Sequence, residues 1–209
     1  MSHFTPVVFV VDNDVSLRQS LGLLIRSAGW QPKTFASAAE LLDCPCPSVA
    51  NCLVLELFLP GFSGLDLQKR LAIERPHMPV IVITRHSDVH STVQAMKAGA
   101  LEFLTKPLHD ELLLSAIQEA LERSRSSLGQ AAEIQALKER YESLTPREQE
   151  VMKLVVAGLL NKQIGGELGI SEITVKAHRG KVMVKMMANS LPHLVRMATR
   201  LRLVPVAHS

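Results

Sequence analysis

Four short apolar runs, each closed by a polar residue, constrain this chain more than any other feature. Val7-Val8-Phe9-Val10-Val11 stops at Asp12-Asn13-Asp14, and Leu53-Val54-Leu55 stops at Glu56. Val80-Ile81-Val82-Ile83 stops at Thr84, and Leu101-Glu102-Phe103-Leu104-Thr105 stops at Lys106-Pro107. Continuous β-branched runs of strand length, separated by helical stretches, are the pattern of a parallel sheet covered on both faces. The carboxyl ends of such strands share one edge, where α/β folds assemble their chemistry. Acid, hydroxyl and lysine are therefore expected to converge on a single pocket.

Together with Leu59-Pro60-Gly61-Phe62-Ser63-Gly64, these residues resemble the receiver domain of bacterial two-component response regulators, from about Val7 to Arg123. The resemblance implies an α/β fold, a doubly wound five-stranded parallel sheet of flavodoxin-like type. It also implies an acidic pair after the first strand that holds Mg²⁺, and an aspartate after the third that accepts a phosphoryl group. A Thr or Ser after the fourth strand contacts that group, and a Lys after the fifth neutralises it. Asp12, Thr84 and Lys106 carry over directly, and Phe103 falls at the switch aromatic of the family.

Three departures fall on the chemistry. The acceptor position is Glu56, the second acid of the metal pair is Asn13, and the residue after Thr84, usually small, is Arg85. Mg²⁺ demands near-octahedral oxygen coordination and favours carboxylates, so an amide weakens the site and leaves Asp12 and Glu56 as its remaining donors. The extra methylene of Glu56 moves its carboxylate by roughly a bond length. A misplacement of about 1 Å can cost on the order of 100-fold in rate. Arg85 is expected to crowd the approach of a phosphodonor. Ordinary aspartyl-phosphate switching is thus not expected, and no cofactor is required.

Two roles for Glu56 remain open on these residues. Its carboxylate can reach part-way to a phosphoryl oxygen and offer a permanent negative charge to Lys106 and Thr84. That mimicry is incomplete, with a charge of about −1 and two oxygens against nearly −2 and three. Alternatively the pocket has decayed into a structural Glu56–Lys106 ion pair. A conventional switch that tolerates Asn13 and Glu56, served by a sensor histidine kinase, is the competing function.

The 209 residues suffice for one or two domains with real cores, without disulfides or metal. Met1-Ser2-His3-Phe4 has no charged n-region, and no stretch approaches the roughly 20 apolar residues of a membrane span. A cytoplasmic location is expected. Cys44, Cys46 and Cys52 lack a second pair or a nearby histidine, which argues against zinc.

Charge locates the domain boundary. Residues 1–125 carry 11 Lys and Arg against 13 Asp and Glu, residues 126–142 carry 2 against 3, and residues 143–209 carry 10 against 4. A basic module after a mildly acidic one suggests a polyanion partner. Three segments are expected: a receiver at 1–125, a helical linker at 126–142 and a basic domain at 143–209. Ser126-Ser127-Leu128-Gly129 is expected to interrupt the fifth helix weakly, after which Ile134, Leu137 and Tyr141 recur at helical spacing.

The basic module reads as four helices. Thr145-Pro146-Arg147-Glu148 is a capping box with Pro at the first helical position, and that helix ends near Ala157-Gly158. Asn161 is expected to cap a second helix that stops at Leu168-Gly169, Ser171 a third, and Ser190 a fourth. Two short helices joined by a Gly-containing turn form a helix-turn-helix. The third helix would read DNA: Val175, Val182 and Met186 face inward, while Lys176, Ala177 and Gly180 face outward beside Arg179, Lys181 and Lys185. Cations suit phosphate and guanine acceptors, and a small apolar residue suits a thymine methyl.

Leu144 to Glu148, Asn161-Lys162-Gln163-Ile164 and Thr174-Val175-Lys176-Ala177-His178 closely resemble the LuxR-type DNA-binding domain. Ser190 to Ala198 further resembles FixJ-type response regulators. The resemblance implies an all-α four-helix domain that contacts a double-stranded operator through Lys162, Thr174, Lys176, Ala177, Arg179 and Lys181. It also implies a homodimer, paired through a receiver face that includes Val93 and Met96 or through the last helix, Leu191 to Leu201. Gly165 stands where the family usually has alanine, and with Gly166 it suggests a soft helix. The expected function is a DNA-binding transcription regulator, not an enzyme. A protein-binding adaptor that decoys a kinase is the reading from another class, and the recognition helix argues against it.

Overall fold

The structure is a computed structural model that describes residues 5–85 and 88–203. The chain divides into two compact units between Gly129 and Gln130. In the first, β1 (Val7–Val11), β2 (Gln31–Phe35), β3 (Asn51–Glu56), β6 (Val80–Thr84) and β7 (Ala100–Thr105) form one parallel sheet in the order β2-β1-β3-β6-β7. The intervening helices are α1 (Val15–Ser27), α2 (Ala38–Asp43), α3 (Gly64–Glu74), α4 (Val89–Lys97) and α5 (Asp110–Glu142). Every residue of β1, β3 and β6 is buried. Alternate residues feed opposite faces. Phe9, Leu53, Leu55 and Val82 pack with Leu41, Leu67 and Leu71, while Val10, Val54, Ile81 and Ile83 pack with Ile25, Leu113 and Ile117. The expected doubly wound α/β sheet is present, and its central strands β1, β3 and β6 are near-continuously apolar because both faces are covered.

Two elements carried no comparable signal in the sequence. Edge strand β2 is only half-buried and holds Pro32, a residue that edge strands tolerate. A small antiparallel ribbon, β4 (Phe58–Leu59) and β5 (Phe62–Ser63), follows β3 and turns at Gly61 with φ +74°. Gly64 then lets α3 start against the end of β3: a Cβ there would lie 2.6 Å from the Leu57 carbonyl and 2.8 Å from that of Glu56. That close approach fixes the backbone beneath the acceptor position.

The expected interruption at Ser126–Gly129 does not occur; α5 runs unbroken for 33 residues. Two of its serines, Ser124 and Ser127, have hydrogen-bond partners outside the helix. The buried Ser124 hydroxyl donates to the His77 carbonyl and accepts from the Asn51 N–H, and Ser127 Oγ lies 2.6 Å from His77 Nδ1. A single Gly129 costs only about 1 kcal/mol relative to Ala, too little to end a helix anchored in this way.

The second unit contains α6 (Pro146–Val156), α7 (Asn161–Leu168), α8 (Glu172–Lys185) and α9 (Leu191–Arg200), an all-α domain as expected. Met152, Ile164, Val175, Val182, Met186 and Leu194 form its core, joined by Leu137 and Tyr141 from the end of α5. Thr145 and Glu148 make the expected reciprocal cap, and Ser171 and Ser190 cap α8 and α9. Asn161 is not a cap. It is the first residue of α7, and its Oδ1 accepts from Arg179, while the Gln163 side chain accepts the Leu160 N–H at 2.7 Å.

The two adjacent glycines of α7 are not equivalent. A Cβ on Gly165 would meet the Ile170 carbonyl at 2.7 Å, so this glycine brings the helix against the α7–α8 turn; a Cβ on Gly166 meets nothing within 4 Å. Gly166→Ala is expected to stabilise the protein by about 1 kcal/mol. Gly165→Ala should give no such gain, because the turn must shift; thermal or denaturant unfolding of the two variants checks the contrast.

Glu148 is buried and ties the first turn of α6 to Lys185 of α8 at 2.6 Å. The Lys185 hydrogen bond, then the Thr145 N–H, hold its carboxyl below the ordinary value of 4.5. A depressed folded-state value means full stabilisation above that pH and loss as pH falls below about 4.5. Glu148→Gln should cost about 1–2 kcal/mol near neutrality and flatten the acid limb of the stability curve, as read by unfolding across pH 3 to 7.

Candidate functional site: the strand-end pocket and the recognition helix

Parallel strand order brings the polar strand ends together. Asp12 follows β1, Glu56 ends β3, Thr84 ends β6 and Lys106 follows β7. The Lys106 ammonium lies 2.6 Å from Asp12 Oδ2 and 2.5 Å from Glu56 Oε2, with all three side chains at most 9% exposed. The other oxygens are also engaged: Asp12 Oδ1 accepts from the Asp14 N–H at 2.8 Å, and Glu56 Oε1 from the Phe58 N–H at 3.1 Å. Removing one member of such a buried cluster leaves uncompensated charge, which in general costs about 3–5 kcal/mol.

Around this core is a cavity of about 370 Å³, lined by Asp12, Asn13, Asp14, Glu56, Phe58, Arg85 and Lys106. Arg85 stands at its mouth, mostly exposed, 2.8 Å from Asp14. Asp14 also caps α1 by accepting from the Leu17 N–H, and that bond first, with Arg85 adding, holds its carboxyl below the usual range. Thr84 is fully buried, and its carbonyl accepts the Lys106 N–H at 2.8 Å. Phe103 is half-buried against the sheet face that carries Phe9 and Val82. Neither lines the cavity.

The residues present offer Mg²⁺ a weakened donor set, Asp12 and Glu56 with an amide at Asn13. The inner cation between Asp12 and Glu56 is the lysine itself, each carboxylate oxygen already has a donor, and Asn13 is exposed. Among the described residues no group of three or more His, Cys, Asp or Glu could hold a metal ion.

Sequence reasoning missed the Phe58 N–H, the Asp14–Arg85 pair and Arg18, whose guanidinium donates to the Asp12 carbonyl. None carries a local signature. Of the cysteines, burial pushes the Cys52 thiol far up, and burial also raises Cys46.

In the second unit Lys162, Thr174, Lys176, Ala177, Gly180 and Lys181 are exposed, while Val175, Val182 and Met186 are core. Lys176 makes a surface pair with Glu172 at 3.2 Å, an interaction of low worth that a polyanion can displace. Thr174 is steadied by Ser171, 2.8 Å between hydroxyls. Two cations depart from the expected outer face. Arg179 is half-buried and donates to Asn161, and Lys185 is turned to Glu148 and the Ser143 carbonyl. His178 is partly buried with Nδ1 unpartnered among the described residues. Of the expected dimer surfaces, Val93 and Met96 are exposed, whereas Leu194, Met197 and Ala198 of α9 belong to the core.

A five-stranded receiver fold followed by a helix-turn-helix unit is the architecture of a DNA-binding response regulator. The chain belongs to that family: the response regulator receiver domain matches residues 8–118, and the luxR family of bacterial regulatory proteins matches residues 142–198. It is a transcription regulator of the two-component type, not an enzyme. It is 51% identical to nodulation protein W of Bradyrhizobium diazoefficiens over 195 residues, 93% of this chain and 86% of that one. Response regulator StyR superposes with a TM-score of 0.82 at 45% identity, covering 94% of this chain and all of that one. Full-length FixJ from B. japonicum gives 0.56 at 39% identity, over 95% and 98%. No helix among the described residues is long and apolar enough to cross a membrane.

Proposed function

We propose that this response regulator is a cytoplasmic transcription factor whose receiver is not switched by aspartyl phosphorylation, Glu56 serving as a permanent partial substitute for a phosphoryl group. One observation carries the reading: both Glu56 oxygens already have donors, Lys106 on one and the Phe58 N–H on the other. A nucleophile so engaged, crowded further by Arg85 at the pocket mouth, is poorly disposed to attack phosphorus. Lys106, the cation that the family directs at the phosphoryl group, instead has a built-in anion. No Mg²⁺ is needed to maintain that arrangement. In this reading the protein pairs as a homodimer on a double-stranded operator.

Sedimentation of the untreated protein beside Glu56→Ala and Glu56→Asp, with and without Mg²⁺ and acetyl phosphate, tests this. The expected wild type is dimeric and indifferent to phosphodonor, and Glu56→Ala is monomeric. Dimerisation unchanged in Glu56→Ala would reduce Glu56 to a structural ion pair. A wild type that dimerises only with phosphodonor would restore the conventional switch and its sensor histidine kinase, a reading favoured by the retention of Asp12, Thr84, Phe103 and Lys106.

The operator contacts are proposed to come from Lys176, Ala177, Lys181 and Thr174 on α8, with Lys162 on α7 and Arg179 positioning the two helices. Lys176→Ala should weaken binding to a duplex selected from a randomised pool by about tenfold or more. Unchanged affinity would remove α8 from the groove.

A further inference from the structure

Within the C-terminal unit, the last turns of α5 and helix α9 border a groove of about 500 Å³, a volume in the range of small-molecule sites. Its apolar lining includes Leu137 and Met197, both nearly buried, and Met187, which is 65% exposed. Three arginines line it as well: Arg140 from α5, Arg196 and Arg200 from α9. The one carboxylate present, Glu133, pairs with Arg200 at 2.8 Å. Among the described residues neither Arg140 nor Arg196 has a carboxylate within salt-bridge distance, and His193, also on the lining, is engaged with Asn189.

The way α8 ends sets the third apolar wall. Met187 follows the C-cap in the left-handed conformation, φ +54°, and closes the helix with its N–H on the Val184 carbonyl and the Ala188 N–H on the Met183 carbonyl. That turn leaves the Met187 side chain lining the groove instead of buried in the core, and its thioether is flexible and polarisable enough to adapt to a varied apolar surface.

Cationic excess around an apolar floor defines the chemistry of the occupant. Guanidinium forks recognise carboxylates in bidentate fashion, and the floor requires an apolar body attached to that head group. We propose that this groove binds a small amphipathic organic anion, an aryl or medium-chain alkyl carboxylate, with its head group at Arg140 and Arg196 and its body over Leu137, Met187 and Met197. The site lies outside the receiver and does not depend on the role assigned to Glu56. Because Met187 directly follows the C-cap of α8, an occupant that contacts it sits at the trailing end of the recognition helix.

Calorimetric titration of the full-length protein with naphthoate and with decanoate tests the site, beside naphthalenemethanol as a neutral comparator and inorganic phosphate as a bare anion. The expected result is one saturable site per chain for at least one organic anion, with neither comparator matching it. Arg140→Gln and Arg196→Gln should each weaken binding about tenfold or more. Met187→Gly, which suits the left-handed backbone there and so preserves the fold, should weaken it severalfold; Arg85→Gln in the other unit should leave it unchanged. Absence of saturable binding in the millimolar range overturns the proposal, as does an affinity indifferent to both arginine substitutions or matched by inorganic phosphate. A dimer that excludes naphthoate and dissociates on Arg196→Gln would assign the groove to a second copy of the chain and overturn it equally.

Discussion

The ammonium of Lys106, held between Asp12 and Glu56, is the interaction on which the receiver unit depends. Each member comes from a different strand end, and β1 and β7 are separated in the sheet by β3 and β6. A four-carbon stem is what allows the cation to cross the end of β6 and reach both acids. The cluster therefore reports on the register of β1, β3 and β7 at once: a slip in any of them would carry a buried charge away from its partner. Buried charge is tolerated only when it is paired and its remaining lone pairs are satisfied, a condition that the Asp14 and Phe58 N–H groups complete.

The backbone around the cluster is shaped to the same end. Gly64 admits α3 within hydrogen-bond reach of the Leu57 carbonyl, and the β4–β5 ribbon turns the chain so that the Phe58 N–H faces back to Glu56. Asp14 caps α1 and at the same time fastens Arg85. Arg85 is thereby drawn toward the first strand's loop, so the bulky residue following Thr84 has a defined anchor and does not simply project into solvent.

Much of this was legible in the sequence because it is local. Apolar runs, capping boxes and positive-φ glycines such as Gly158 and Gly169 depend on residues a few positions apart, and they placed β1, β3, β6, β7 and the four C-terminal helices. What was not legible is tertiary. Half-exposed β2, with Pro32 and Lys33, lacks the run that marked its neighbours, because an edge strand buries less. Ser127 read as part of a weak interruption until His77, 50 positions away, supplies its hydrogen bond. Lys185 read as a DNA-facing cation because helical spacing cannot reveal that Glu148, on another helix, is waiting beneath it. The convergence of Asp12, Glu56 and Lys106 was inferred from strand order; the engagement of the second oxygen of each carboxylate was not, since it rests on backbone N–H groups that any residue supplies.

That engagement bears on how far a glutamate can bias a two-position switch. Moving such an equilibrium from 1:99 to 99:1 takes about 5.5 kcal/mol of differential interaction. A carboxylate brings one charge and two oxygens where a phosphoryl group brings nearly two and three, so it can supply only part of that difference. Here part of its interaction is spent on Phe58, on its own strand's loop, and Lys106 is shared with Asp12. Under the proposed reading the receiver is accordingly biased, not locked. The active population then depends on whatever else distinguishes the two states, chain concentration through dimerisation foremost among them. On that proposal a single methylene converts a response governed by chemistry at one residue into one governed by mass action.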